Sequence, residues 1–161
     1  MITQRKNYLS RIDALFNGGK AKFREFGVKV FDKYDMLDML GYDNLPVILA
    51  EGKFTEGLQN HPRFKEGYWK KVPEWLENPA AVFDSDTQTG RLVFIAPELL
   101  KGVPIRMIVE PDIKENNIKV HLLVNSYDAI GKVPTARWLN EGLLRYLDNG
   151  KSREFLTTSR L

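Results

Sequence analysis

Between Ala80 and Tyr127 the chain alternates short apolar runs with clusters of turn-forming residues, the pattern of β-strands rather than helices. It predicts four strands, Ala80 to Asp84, Arg91 to Ala96, Ile105 to Glu110 and Ile118 to Tyr127. The intervening turns are the polar DSDTQTG, Gly102 with Pro104, and Lys114-Glu115-Asn116-Asn117. Consecutive strands joined by short turns predict an antiparallel meander. The flanks follow the helical period instead. Tyr8, Leu9, Ile12, Leu15 and Phe16 predict a first helix over Thr3 to Phe16, stopped by Asn17-Gly18-Gly19. Phe54 to Asn60 reads as a short helix interrupted by His61-Pro62. Tyr68, Trp69, Val72, Trp75 and Leu76 then mark a helix with one buried aromatic face, kinked at Pro73 or restarted at Val72. Thr135 reads as the N-cap of a last helix that carries Trp138, Leu139, Leu143, Leu144 and Leu147.

The stretch between the first helix and the sheet is mixed. Phe23, Phe26, Val28, Val30 and Phe31 fit a short strand, Tyr34 to Leu40 a helical turn closed by Gly41, and Leu45 to Leu49 a linker or short strand. The fold class these elements compose is α+β: N-terminal helices, a four-stranded antiparallel meander sheet and a C-terminal helix. Residues 1–44 read as a helical segment or delivery linker, and 45–161 as the main domain.

Composition narrows the chemistry. With 161 residues, 43% hydrophobic and 28% charged, the chain has enough apolar material for one packed core. It has no cysteine, which excludes disulfides and thiolate chemistry, and its two histidines, His61 and His121, make a histidine metal cluster an unpromising reading. No metal or cofactor is expected. No apolar run approaches the roughly 20 residues of a membrane span, so no membrane partner is expected. The net charge of +3 suits a polyanionic partner without establishing one.

Strand alternation gives the best candidate for a site. In Ile118 to Tyr127, Val120, Leu122 and Val124 point to one face, and His121, Leu123, Asn125 and Tyr127 to the other, with His121 about 13 Å from Asn125 and 20 Å from Tyr127 along the strand. Histidine transfers protons near neutrality and arginine binds phosphate in two-point geometry. Each residue also has a purely structural reading: His61 as a helix terminator, His121 as a rim residue, Tyr127 as packing for Trp138, and Arg91 as a turn residue.

The segments NHPRF, KKVPEWLENPAAVFDSDTQTGRLVFIA, VHLLVNSY and ARWLNEGLLRYLDNGKSREFL occur in an order that resembles the C-terminal toxin domain of phage MuF-type head proteins. That domain is a branch of the barnase, EndoU, colicin and RelE-like ribonuclease superfamily. The resemblance runs from about Leu45 to the end. It implies helices ahead of a four-stranded antiparallel sheet whose open face cleaves RNA without a metal, by 2′-hydroxyl attack to a 2′,3′-cyclic phosphate. Such chemistry needs a base, an acid and cations or amides around the phosphoryl oxygens. The family's helical histidine matches His61, and its strand-end Ser-x-Tyr matches Asn125-Ser126-Tyr127, with Asn125 in the serine's place. The catalytic candidates are therefore His61, Tyr127, His121 and Asn125, with Arg91, Arg106 and Arg137 for substrate phosphate.

The same resemblance implies delivery by a phage or secretion system, action on RNA, tRNA included, in the target-cell cytoplasm, and a cognate immunity or antitoxin protein. Two other classes stay open: an ADP-ribosyltransferase toxin, disfavoured by the lack of a clear strand-end glutamate motif, and a non-catalytic phage-associated module that binds nucleic acid or protein.

Overall fold

The computed structural model describes residues 2–16, 27–49, 54, 59–115, 117–128 and 133–152. Its centre is a seven-stranded mixed sheet in the order β1-β2-β6-β5-β4-β3-β7. The strands are β1 (Val28–Phe31), β2 (Val47–Leu49), β3 (Ala81–Asp84), β4 (Leu92–Leu100), β5 (Val103–Glu115), β6 (Ile118–Asp128) and β7 (Leu144–Leu147). Strand β2 runs parallel to β6, and every other neighbouring pair is antiparallel. The helices include α1 (Ile2–Phe16), α2 (Asp35–Met39), α3 (Glu66–Glu77) and α4 (Thr135–Asn140).

This corrects the expected four-stranded antiparallel meander with N-terminal helices. Strands β3 to β6 do form consecutive antiparallel neighbours, but the sheet is extended on both sides. On one side, Val47–Leu49 pairs in parallel with His121–Leu123 and carries β1 as a further antiparallel strand. Parallel pairing joins segments far apart in sequence, so local pattern cannot reveal it. On the other side, the expected helix from Thr135 to Leu147 stops at Asn140, and Leu144–Leu147 pairs with β3.

Gly142 causes that stop. At φ +73° it adopts the left-handed conformation; its N–H donates to the Leu139 carbonyl at 3.1 Å, and the Leu143 N–H to the Trp138 carbonyl at 3.0 Å. This pair of bonds is the Schellman closure of a helix. At the other end Pro134, not Thr135, is the N-cap, and the Thr135 hydroxyl donates to the Val133 carbonyl at 3.3 Å.

The main core lies between the sheet and a helical layer. Helix α3 buries Trp69, Val72, Pro73, Trp75 and Leu76. Trp69, Val72, Trp75 and Leu76 share a cluster with Tyr8 and Ile12 of α1 and with Phe94, Met107, Val109 and Leu123 of the sheet. Pro73 lies inside α3 without a break. Lacking an N–H, it leaves the carbonyl four residues back, that of Trp69, without its helical donor. The Tyr8 hydroxyl supplies one, donating to the Trp69 carbonyl at 2.6 Å. At the C-terminal end of α3 the Tyr34 hydroxyl donates to the Leu76 carbonyl, another group without a helical partner. Burial pushes both phenols well above the usual tyrosine range, Tyr34 with further help from Glu77. The first 44 residues thus contribute α1, β1 and α2 to the same sheet and core as the rest.

A second, smaller cluster lies on the opposite face, where Val133 and Trp138 cover Ala81, Phe83, Val93 and Ile95. The Trp138 and Phe83 ring centroids are 5.1 Å apart.

Candidate active site

The site starts from a break in alternation along β6. Val109 pairs with Leu123 and Ile108 with Asn125, so Val124 is an extra residue opposite the β5 backbone. A one-residue bulge exchanges the two faces of a strand. Leu123 accordingly lies in the main core, while Asn125 and Tyr127 share a face with their partners Ile108 and Arg106. The expected common face of His121, Leu123, Asn125 and Tyr127 is therefore corrected: the bulge separates the first two from the last two.

Beyond the bulge, Tyr127 is in register with Arg106 of β5, which makes their side chains direct cross-strand neighbours. The Arg106 guanidinium lies over the Trp138 ring, 5.2 Å from its centroid. That ring is held in turn, because its Nε1–H donates to Asp86 Oδ2 at 2.9 Å. On its other side Tyr127 meets His61: the two rings are stacked, with centroids 4.2 Å apart and planes 9° from parallel. Both residues are half-buried.

His61 reaches this position through a tight turn. Gln59 and Asn60 are helical, and the Phe64 N–H donates to the His61 carbonyl at 3.0 Å across Pro62-Arg63. Proline pre-sets the backbone for the first central position of such a turn. The turn is pinned at its far end by Phe64, which is buried against Trp69 and Trp75 with ring centroids 5.4 Å and 6.4 Å away. In its middle, Arg63 Nε is 3.6 Å from Asp128 Oδ2. The turn therefore crosses the end of β6 and touches two consecutive residues, Tyr127 and Asp128, whose side chains leave the strand on opposite faces.

A family model described as the phage MuF C-terminal domain matches residues 53–154. The chain belongs to that family. Neither a curated protein nor a solved structure matches it. The matched span of this MuF C-terminal domain runs from before the His61 turn to beyond β7, and contains every candidate site residue; β1 and β2 lie outside it.

The other candidate residues of the MuF domain are engaged elsewhere. His121 is fully buried: Nε2 lies 2.7 Å from the Asp43 carbonyl, and Nδ1 3.1 Å from the Asp112 N–H. The carbonyl requires a proton on Nε2 and the N–H requires a lone pair on Nδ1, which together specify the neutral ring. Asp112 has φ +57° within a second register shift of β5, between Glu110 and Ile113, which aims its N–H at the ring. His121 is thus a brace for the chain entering β2. Asn125 turns its side-chain oxygen to the Ser126 N–H at 2.8 Å, leaving the amide nitrogen as its donor.

Arg91 pairs with Glu110 at 3.3 Å, four residues along β5 from Arg106 or about 13 Å. Arg137 pairs with Asp86, the carboxylate that also holds Trp138. Of the seven candidates, the structure gathers His61, Tyr127 and Arg106, with Asn125 two residues from Tyr127 on the same face. Arg63 and Asp128 are additions; each lies next to or one residue from a candidate, HPRF and SYD, and neither was singled out by type. Among the described residues, no group of three or more His, Asp or Glu could hold a metal ion, and no helix is long and apolar enough to cross a membrane.

Proposed function

We propose that this MuF C-terminal domain is a metal-independent endoribonuclease toxin that cleaves RNA by attack of the ribose 2′-hydroxyl on the adjacent phosphorus. The observation that carries the reading is the His61–Tyr127 stack with Arg106 in register beside Tyr127. It brings a proton-transfer group, a phenol and a guanidinium to one rim of the sheet, which are the three kinds of group the reaction needs. His61 takes the 2′-hydroxyl proton as the O2′–P bond forms. Tyr127 donates to the 5′-oxygen as the P–O5′ bond breaks, leaving a 2′,3′-cyclic phosphate and a 5′-hydroxyl. Arg106 offsets the charge that grows on the non-bridging oxygens, and the Asn125 amide donates to the same phosphoryl group.

Membership of a phage MuF family supports delivery by a phage or secretion system, with the target-cell cytoplasm as the place of action. A producing cell then needs an immunity or antitoxin protein that covers the site.

The test is incubation of the purified protein with total RNA and with tRNA in EDTA, followed by end-group analysis. Fragments ending in 2′,3′-cyclic phosphate are expected, and from His61→Ala at least about a hundredfold more slowly. RNA that is bound but left intact by folded wild-type protein would instead indicate a binding module.

A further inference from the structure

The cations around the site differ in how their guanidinium groups are used. Arg137 gives a terminal nitrogen to Asp86, Arg91 is three-quarters buried against Glu110, and Arg106 lies over Trp138 with its Nε buried. Arg63 is held differently. Its Nε faces the carboxylate of Asp128 at 3.6 Å, and the Asp128 side chain is 1% exposed while that of Arg63 is 51% exposed. Asp128 Oδ2 has no hydrogen-bond partner among the described residues, and Arg63 is the cation placed against this buried carboxyl group. A guanidinium whose Nε edge faces a carboxylate keeps its two terminal nitrogens for a ligand, a planar pair that matches two phosphate oxygens. Arg63 stands two residues from His61 in the same hydrogen-bonded turn, and Asp128 directly follows Tyr127.

We infer that Arg63 is a phosphate-binding residue of this site, with Asp128 as the residue that positions it. The inference rests on the ribonuclease reading for the identity of the ligand, a single-stranded RNA backbone. The turn then delivers the proton-transfer group and a phosphate ligand together, and one buried carboxylate orients the second.

The test uses a single-stranded RNA oligonucleotide 2′-O-methylated throughout, which has no attacking hydroxyl and reports binding alone. Its affinity for the full chain is measured at several salt concentrations for wild type, Arg63→Gln and Arg63→Lys, with thermal melts to show that each variant is folded. Arg63→Gln is expected to bind about tenfold more weakly, the loss of one charge-assisted contact. Its log-affinity against log-salt slope should be shallower by about 0.7, the value for one phosphate contact on a single strand. Arg63→Lys should restore the slope and only part of the affinity, because lysine keeps the charge without the planar pair. Wild-type affinity and slope in Arg63→Gln would overturn the inference while leaving the ribonuclease reading intact. Binding that depends on Arg63, together with no cleavage of unmodified RNA, would overturn the ribonuclease reading and leave the inference standing. No binding by the wild type would overturn the inference, while cleavage of unmodified RNA decides the ribonuclease reading separately.

Discussion

His61 and His121 show how differently two histidines of one chain can be used. His121 has both ring nitrogens committed to main-chain groups inside the protein, whereas His61 lies half-exposed on a turn against Tyr127. Composition singled out both because there are only two. Strand alternation favoured His121, and it misled because a single bulge residue, Val124, exchanges the faces of β6 between Leu123 and Asn125. A bulge in an apolar run leaves no mark in the hydrophobic pattern. Nominating His61 rested on the resemblance, and its contact with Tyr127 joins residues 66 positions apart that no local rule connects. At this scale His61→Ala is expected to lower RNA cleavage by about 10²- to 10⁴-fold, the usual contribution of a general acid–base group, while the protein still melts cooperatively as a folded chain. His121→Ala should act oppositely in kind. It leaves the Asp43 carbonyl and Asp112 N–H without their ring partner and should cost roughly 1–3 kcal/mol of stability per unsatisfied group, read by denaturant unfolding.

Helices α3 and α4 illustrate what was legible at the level of elements. The aromatic spacing from Tyr68 to Leu76 marked α3 correctly as a helix with a buried face, but Pro73 suggested a kink or restart. The helix continues because Tyr8, from a distant segment, satisfies the Trp69 carbonyl that the proline frees. Tyr8→Phe should therefore destabilise the protein by about 1–3 kcal/mol, since a buried carbonyl loses its donor. Trp75→Ala should cost roughly 3–5 kcal/mol, as truncated core aromatics do; both are measured by chemical denaturation. In α4 the signal for termination was present in Gly142 but was outweighed by the leucines that follow it at helical spacing. Leu144 and Leu147 instead begin and end β7, because the left-handed glycine redirects the chain. Gly142→Ala should lower stability by roughly 1–2 kcal/mol, the cost of a left-handed conformation for a residue with a Cβ.

For the whole molecule, the strands β3 to β6 were readable because each is patterned, bounded by turn residues and paired with its neighbour in sequence. The parallel β2–β6 pairing and the addition of β1 and β7 were not, because they depend on contacts between distant segments. The core so assembled should have a distinct alkaline limit. Tyr8 and Tyr34 are buried and held protonated well above their ordinary range. In the unfolded chain they ionise near pH 10, so the folded state binds more protons above that pH. Stability is therefore fully present below about pH 10 and falls as the pH rises beyond it; melting curves in alkaline buffers should show this loss, reduced in Tyr8→Phe relative to its own neutral-pH value. The active-site account depends on a more specific consequence of assembly, that the turn before α3 and the end of β6 act as one unit. Single-turnover cleavage of one RNA by wild type, His61→Ala, Tyr127→Phe and the double variant tests it most directly. Groups that work together lose their effect together. The double variant should be no slower than the slower single variant, with every rate unchanged by EDTA. Losses that multiply in the double variant, or a Tyr127→Phe enzyme that cleaves at the wild-type rate, would contradict the account.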